Sequence, residues 1–364
     1  MSPGPSSHFA QTYAQAREKF LAAADAADLD VESHLHPLRG RDGEALAMDV
    51  ARDGATDASR LLLITSACHG VEGFCGSGVQ NALLHDAAWR RAAHDAGVAV
   101  LYIHALNPYG FSWWRRVTQE NVDLNRNFHD FSQPLPPNPE YDEIAVLLAP
   151  PTWPASPEIE SRIGQLIAER GIDALQAAAS GGQYDHPEGL FYGGRNPTWS
   201  NQALRQVLRD HGQRCDHLGW LDLHTGLGPR GHGERIFACR NDADALARAR
   251  AWWGPEVTSI YDGSSTSAML TGLMWLAAYE ECPQAQYTGI ALEFGTVSIL
   301  EVIQALRADQ WLENHPQAPP ATARAIKQQL RDAFYIDDDA WKRQVVEQAV
   351  EAAHQGLRGL AGAV

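Results

Sequence analysis

The sequence predicts an α/β fold in which a β-sheet is covered by helices on both faces. Two apolar runs, RLLLITSA from Arg60 and VAVLYIHAL from Val98, lack polar alternation, which is typical of strands buried on both faces. Segments with helical periodicity alternate with the predicted strands, as expected for this fold class. The composition agrees, since 45% of the 364 residues are hydrophobic and 20% are charged.

The first half of the chain is expected to contain a covering helix, three strands and one long helix. From about His8 to Ala27, apolar residues recur at helical spacing, which predicts a helix over the sheet. ALAMDV, RLLLITSA and VAVLYIHAL are predicted strands, and a helix that ends at Gly97 is expected between the last two. From Asn107 to about Pro157, prolines predict a loop-rich segment.

The second half begins with two predicted helices, EIESRIGQLIAERG and WSNQALRQVLRDHG, separated by a loop over residues 181–194. HLGWLDLH, RIFACR and TGIALEF are predicted strands, and from about Val297 the chain is mostly helical, including DDDAWKRQVVEQAVEAAHQG with its acidic first turn. Without a clear linker, we expect one domain over residues 1–364, with a core at about 28–315, an N-terminal covering helix and a C-terminal helical extension. Three side chains of the loop either line a pocket or cover the sheet: Gln183, His186 and Tyr192.

Charge and composition exclude several classes of function. Against 45 Asp and Glu stand 29 Lys and Arg, and the net charge of −16 repels nucleic-acid phosphates. No segment has the roughly 18–20 apolar residues of a membrane span, and the N-terminus lacks the pattern of a signal peptide. The five cysteines lack CxxC spacing, which argues against a disulfide framework or a thiolate metal cluster. We therefore expect a cytoplasmic protein that binds neither nucleic acid nor membranes, with no indication of its oligomeric state.

Potential metal ligands follow two of the predicted strands, where α/β sheets usually bind ligands. His69 and Glu72, in SACHGVEGF, are separated by two residues, and the glycines around them permit a turn that brings both onto one cation. HxxE alone is a weak pattern, which most often marks surface residues. His224 ends the strand of WLDLHTGLG on the same face as Asp222, and it is either a third ligand or a core histidine.

Two further segments carry candidate functional groups. The loop NPYGFSWWRRVTQENVDLNRNF contains Arg115, Arg116, Asn125 and Arg126. Arginines in such a position hold a carboxylate through paired hydrogen bonds or form a solvated basic patch. Glu293 interrupts the apolar strand of GIALEFGT, and a buried carboxylate is costly unless it is paired or functional. Glu293 is therefore either a general base or a salt-bridge partner.

The order of these motifs resembles that of the zinc carboxypeptidases of the carboxypeptidase A type, the funnelins. HxxE precedes NPxGF, an arginine, DLNRNF, a strand-end histidine and a strand glutamate, and the match extends from about Leu61 to Thr296. The signatures HGVEGFCGSG, DLNRNF, LDLHTGLG and EFGT are similar to those of a bacterial branch of that family. The resemblance implies an α/β/α sandwich with a mixed, twisted central sheet, and one Zn²⁺ ion per chain.

The resemblance also implies how the metal is held. The zinc ligands match His69, Glu72 and His224. Asp123 matches the carboxylate that orients the first histidine ligand. Tyr261, in SIYDGS, resembles the mobile tyrosine that covers the substrate in this family.

Catalytic and substrate-binding roles follow from the same resemblance. Glu293 matches the general base, and Arg116 matches the arginine that polarises the scissile carbonyl, with Arg115 as an adjacent competitor. Asn125 and Arg126 match the pair that binds the free carboxylate of the substrate. The implied function is that of a metallocarboxypeptidase, which uses zinc-activated water and a glutamate base to hydrolyse an amide next to a free carboxylate.

Three other functions stay open at this point. Deacylases similar to aspartoacylase and succinylglutamate desuccinylase share an HxxE…R…DLNR pattern, and they release a carboxylic acid from an N-acyl amino acid. A non-catalytic zinc-binding or ligand-binding module has no need of a base such as Glu293 beside the metal. A thiol hydrolase built on Cys68 is disfavoured, because the side chains of Cys68 and His69 diverge on an extended chain.

Overall fold

A computed structural model describes residues 4–363 of the chain. Seven strands form one sheet: β1 (Val31–Arg39), β2 (Ala45–Asp53), β3 (Arg60–Thr65), β4 (Ala99–His104), β5 (His217–Arg230), β6 (Gly233–Phe237) and β7 (Gln286–Gly295). Their order is β1-β2-β4-β3-β5-β7-β6. The four strands β4, β3, β5 and β7 are parallel, whereas β1, β2 and β6 pair with their neighbours in antiparallel fashion.

The described residues form thirteen α-helices. They are α1 (Tyr13–Ala26), α2 (Gly73–His85), α3 (Ala87–Asp95), α4 (Pro108–Trp113), α5 (Pro139–Leu148), α6 (Pro157–Arg170), α7 (Ile172–Ser180), α8 (Trp199–Gly212), α9 (Ala243–Trp253), α10 (Leu276–Glu281), α11 (Ile299–Asn314), α12 (Pro320–Phe334) and α13 (Asp339–Ala361). Short 3-10 turns lie at Pro5–His8, Gly70–Glu72 and Leu124–Arg126. With helices on both sides of a mixed sheet, the predicted fold class is confirmed.

Capping residues explain where the helices differ from the predicted ones. The covering helix begins only at Tyr13, because Thr12 accepts a backbone hydrogen bond of the first turn. The single helix expected after β3 is two helices, since Asp86 ends α2 and caps α3. The segment expected to be loop-rich contains α5, which starts with an Asn138 cap and a proline at the first helical position.

One hydrophobic cluster of buried residues connects the covering helix, the sheet and the C-terminal helices, from Phe9 to Leu360. Tyr13 fixes α1 to the sheet, because its hydroxyl donates to the carbonyl of Ala47 and accepts from the N–H of the same residue. Helix α1 lies at the N-terminal end of the described residues, and α11, α12 and α13 follow the last strand. The single domain stays a prediction, and its ends, residues 1–3 and 364, lie outside the described residues.

The parallel strands determine where a site can form. The carboxyl ends of β4, β3, β5 and β7 meet at one edge of the sheet, where α/β folds usually bind ligands. All five cysteines are buried free thiols. Among residues 4–363, no helix is both long and apolar enough to span a membrane.

Candidate active site

A tight turn at the end of β3 carries the HxxE pair. The strand ends at Thr65, and after His69 the chain passes through the 3-10 turn Gly70–Glu72 and enters α2. The N–H of Gly70 donates to the carbonyl of Arg116 (3.0 Å), which ties this turn to the arginine loop. A Cβ atom on Gly70 would lie 2.1 Å from the carbonyl carbon of Gly110, so this close approach requires glycine.

Three buried side chains converge at this edge of the sheet: His69 and Glu72 from the turn, and His224 from β5. Oε1 of Glu72 lies 2.8 Å from Nδ1 of His69, and its Oε2 lies 3.1 Å from Nδ1 of His224. The three potential ligand atoms all lie within 4.8 Å of one another. Two imidazole nitrogens and one carboxylate oxygen are a donor set that zinc accepts.

The second nitrogen of each histidine faces a buried aspartate. Nε2 of His224 lies 2.6 Å from Oδ2 of Asp222. Nε2 of His69 lies 3.2 Å from Oδ1 of Asp123 and 2.8 Å from Nη2 of Arg116, so it can donate to the carboxylate or accept from the guanidinium. A proton held on Nε2 by an aspartate leaves the lone pair of Nδ1 for a cation, and the residues therefore fit a metal.

No motif indicated a role for Asp222, although the alternation along the strand places it on the face of His224. Its carboxylate is anchored, because the hydroxyl of Thr65 donates to Oδ1 (2.5 Å) and the indole of Trp220 donates to that hydroxyl (2.8 Å). The backbone N–H of Thr225 donates to Oε2 of Glu72 (3.1 Å), a contact that no sequence motif indicated.

The acids of the site differ in the direction in which their surroundings shift the pKa. Burial raises the pKa of Glu72, but the two histidines outweigh burial and hold that pKa below its ordinary value. Burial likewise opposes the charge of Asp123, yet Arg116 and Arg126 hold its pKa well below the usual range. Burial, and then the charge of Glu72, raises the pKa of Glu293 to about 8. Acids whose environments separate their pKa values are typical of acid–base sites.

Glu293 lies on β7, directly beside His224 on β5 in the strand register. It is 8% exposed, and its Oε1 accepts the N–H of Leu227 (2.9 Å), which fixes the carboxylate. Glu293 lines the same cavity as the three potential ligands. Its role as a general base stays a prediction.

The two adjacent arginines point in different directions. Arg116 lines the cavity and donates to Asp123 through Nη1. Arg115 is buried against Asp309 and Glu313, each at 3.5 Å, and it does not line the cavity. The structure therefore brings Arg116, and not Arg115, to the potential ligands, while the role in polarising a carbonyl stays a prediction.

Asn125 and Arg126 also line the cavity. Nε and Nη2 of Arg126 donate to the carbonyl of Ser180 (2.9 and 2.6 Å), and Nη1 donates to that of Asn125 (2.8 Å). Three of the five guanidinium N–H groups are thus used, which leaves two for a ligand. Oδ1 of Asn125 accepts from the N–H of Met274 (2.8 Å), so Nδ2 is the part of this side chain that can serve a ligand.

Tyr261 does not join the other predicted site residues. Its hydroxyl donates to the carbonyl of Cys239 (3.0 Å), and its side chain does not line the cavity found among residues 4–363. The loop over residues 181–194 contributes Phe191 to the cavity. The three loop residues considered from the sequence do not line it: Gln183, His186 and Tyr192.

A second group of potential ligands shares His224 with the first and consists of Cys68, Asp222 and His224. Burial raises the pKa of Cys68 well above its ordinary value, which disfavours the thiolate that a metal needs. Neither Cys68 nor Asp222 lines the cavity. We therefore take the metal-ligand trio, defined as His69, Glu72 and His224, as the candidate metal centre.

Residues 9–348 match the family model described as "Protein of unknown function (DUF2817)". The chain belongs to this family. A search of curated protein sequences finds no match.

Several solved structures align with this DUF2817 chain. Thrombin activatable fibrinolysis inhibitor (TAFI) aligns with a TM-score of 0.54 and 11% identity, over 97% of this chain and 75% of that one. Carboxypeptidase A from Helicoverpa armigera aligns with a TM-score of 0.46 and 12% identity, over 89% and 74%. A metallo-carboxypeptidase from Burkholderia cenocepacia gives 0.40 and 13%, over 89% and 69%. The similarity to TAFI is one of fold.

Proposed function

We propose that this DUF2817 protein is a zinc-dependent hydrolase that cleaves an amide next to a free carboxylate. The observation that carries this proposal is the convergence of the metal-ligand trio with Glu293 in one cavity, at the carboxyl ends of the parallel strands. A binding module needs no carboxylate fixed beside its metal, so Glu293 favours a catalyst. The motif resemblance to the zinc carboxypeptidases supports the same function.

Each member of the trio has the chemistry of a zinc ligand. His69 and His224 would coordinate through Nδ1, since each can donate its Nε2 proton to an aspartate, and Glu72 would supply an oxygen. Three protein ligands are the usual number at a catalytic zinc site, which keeps a fourth position open. When bound, zinc supplies Lewis acidity, which polarises a carbonyl and makes water a nucleophile near neutral pH.

Glu293 would move the protons of the reaction. Its Oε1 is held by the N–H of Leu227, so Oε2 is the oxygen that takes a proton from the attacking water and returns it to the departing amine. Proton transfer by a positioned carboxylate contributes about 10²–10⁴-fold to a rate.

Arg116 would stabilise the negative charge that develops on the carbonyl oxygen. In the structure its Nη2 lies 2.8 Å from Nε2 of His69. If Nδ1 of His69 were to hold the metal, Nε2 would carry the proton and donate it to Asp123, and Arg116 would lose this acceptor. Its guanidinium is then available to an oxyanion, where a fixed donor is most effective.

Asn125 and Arg126 would select substrates with a free carboxylate. Both line the cavity, and the two N–H groups that Arg126 retains can bind a carboxylate through charge-assisted hydrogen bonds. Hydrolysis is therefore expected at chain ends. We also propose that residues 1–364 form one catalytic domain, which the continuous hydrophobic cluster supports.

The proposal is tested with purified, zinc-loaded protein and a mixed panel read by mass spectrometry. The panel pairs short peptides with free and amidated C-termini and adds simple N-acyl amino acids. Release of C-terminal residues from free-carboxylate peptides alone supports a carboxypeptidase. Release of acyl acids with peptides untouched moves the protein to the deacylases. Hydrolysis of neither class, with zinc bound, rejects the proposal.

A further inference from the structure

The cavity that holds the trio continues into an apolar region that the proposed reaction does not use. We call this region the aliphatic compartment, and it lies between α5, α6, α7 and α11. Its lining includes Ile144, Leu147, Ile163, Leu175, Ile303 and Leu306. The whole cavity measures about 160 Å³. Because one water molecule needs roughly 10–15 Å³ of such space, the cavity accepts on the order of ten water-sized groups.

Charge is nearly absent from the aliphatic compartment. Of the described residues that α5, α6, α7 and α11 contribute to the lining, Arg307 is the one charged side chain. Its Nε donates to the carbonyl of Leu147 (2.8 Å) and its Nη1 donates to Glu160 (3.0 Å), whereas its buried Nη2 has no hydrogen-bond partner among the described residues. The other lining side chains of these helices are mostly aliphatic, so the compartment away from that nitrogen suits a hydrocarbon better than a polar or charged group.

Several of the lining side chains are only partly buried by the protein itself. Ile163, Leu175 and Ile303 are half-buried, and Leu300 is 52% exposed. Contact of a ligand with these side chains removes apolar surface from water, which favours binding. The compartment thus has the lining of a binding site and not of a closed core.

Helix α7 connects the aliphatic compartment to the polar end of the cavity. The carbonyl of Ser180, at the end of this helix, accepts two hydrogen bonds from Arg126. Ala179 and Leu175, on the same helix, line the cavity. One molecule can therefore place a carboxylate at Arg126 and a hydrocarbon chain along α7.

We propose that the substrate is a carboxylate-bearing amide with an unbranched aliphatic chain, which occupies the aliphatic compartment. This inference rests on the proposed hydrolase function and names its substrate class. The chain can belong to the acyl group, as in a fatty N-acyl amino acid, or to the side chain of the residue that carries the carboxylate. Both sources offer the same chemistry to the compartment.

Two series of amides distinguish the two sources. One series joins acyl groups from acetyl to decanoyl to alanine, and the other joins acetyl to 2-amino acids with linear side chains of increasing length. We expect kcat/KM to rise about threefold to fourfold per methylene in one of the series. A rise in either series supports the proposal and identifies the side of the amide. Hydrolysis with no dependence on chain length in both series overturns the proposal and leaves the hydrolase function intact.

Variants that fill the compartment test whether it binds the aliphatic chain. Leu175→Trp on α7 and Ile303→Trp on α11 replace half-buried lining residues. Because the two substitutions lie on different helices, misfolding of one variant leaves the other to test the compartment. Each is expected to lower the ratio of kcat/KM between the longest and shortest substrates at least tenfold. Ala174→Trp, at an exposed position of α7 outside the cavity, is expected to keep the wild-type ratio. Equal ratios in all four proteins contradict the proposal.

A binding measurement separates failure of this inference from failure of the hydrolase function. If the zinc-loaded protein hydrolyses no amide of either series, calorimetry with decanoate and with acetate is decisive. Binding of decanoate alone, lost in Leu175→Trp, supports the aliphatic compartment and rejects the hydrolase. Binding of neither rejects both.

Discussion

The histidines of the candidate metal centre depend on buried aspartates for their orientation. Asp222 faces Nε2 of His224, and Asp123 faces Nε2 of His69. Each aspartate favours the tautomer whose Nδ1 lone pair faces Glu72. The motifs predicted the ligands and Asp123, whereas Asp222 required the strand register and its anchoring hydrogen bond from Thr65.

Asp222→Asn tests this orientation. We expect the variant to bind zinc about 10–100-fold more weakly, because a carboxamide no longer fixes the proton on Nε2 of His224. Competition with a chromophoric chelator measures the affinity. Asp216→Asn, at an exposed position shortly before the strand, is the control and should bind zinc as the wild type does. Equal affinity of both variants would refute the orienting role of Asp222.

Glu293→Gln tests the proton transfer. The carboxamide cannot take a proton from water, so we expect kcat to fall by about 10²–10⁴-fold, with the zinc content unchanged. Metal analysis and steady-state kinetics on one preparation measure both quantities. Glu234→Gln is the matched control, because Glu234 neighbours Glu293 in the register but its carboxylate is bound by Thr258 and Thr266. Retained activity in Glu293→Gln excludes the base.

Among the elements of the site, the turn between β3 and α2 is under a tight steric constraint. It brings two of the three potential ligands onto one point, and it approaches the backbone of α4 too closely for any side chain on Gly70. The spacing and the glycines of HGVEG predicted this turn. The partner of the turn, the loop that ends α4, was not predictable, because the two segments are far apart in sequence.

Gly70→Ala is expected to destabilise the protein by about 1–3 kcal/mol, since the new Cβ would overlap the backbone of Gly110. Chemical denaturation measures the change. Gly164→Ala is the control, because Gly164 lies in α6 with no atom within 4 Å of the new Cβ. That change should stabilise the protein by about 0.5–1 kcal/mol. A Gly70→Ala variant as stable as the wild type would show that the turn is not constrained.

Strands were easier to predict than helix boundaries. The uninterrupted apolar runs of β3 and β4 have a strong signal, because both faces of these strands are buried. β1 is mostly exposed and carries no such run, so the sequence analysis did not predict it. The break between α2 and α3 depends on one capping residue, Asp86, inside a continuous helical pattern.

The stability of the molecule also depends on His104, a buried histidine outside the metal-ligand trio. Burial lowers the pKa of His104 to about 4, against an ordinary value near 6.5. The unfolded chain therefore takes up this proton first as the pH falls, and the contribution of His104 to stability is complete above pH ~6.5 and lost toward pH ~4.

We expect this loss to amount to about 3 kcal/mol. Urea unfolding of the wild type and of His104→Gln, measured at several pH values, isolates the contribution as the difference between the two proteins. Gln preserves a group for the contact between His104 and Ser77 (3.0 Å) but does not titrate. A difference that is constant between pH ~6.5 and pH ~4 contradicts the lowered pKa.

The aliphatic compartment depends on the packing of the whole molecule, and it could not be predicted from the sequence. Its side chains come from four helices between Pro139 and Asn314, and the apolar positions of one helix do not show which other helices they face. Only their arrangement around the polar end of the cavity makes these faces a binding site. Tyr261, by contrast, matched a family motif but lies outside the cavity found among the described residues.

The most direct test of the proposed zinc site is anomalous diffraction at the zinc edge from crystals of the zinc-loaded protein. We expect one peak at about 2.0–2.2 Å from Nδ1 of His69, from Nδ1 of His224 and from a carboxylate oxygen of Glu72. A peak on Cys68, Asp222 and Nε2 of His224, or no peak at either group, contradicts the proposed site, because the cavity and Glu293 would then have no metal beside them.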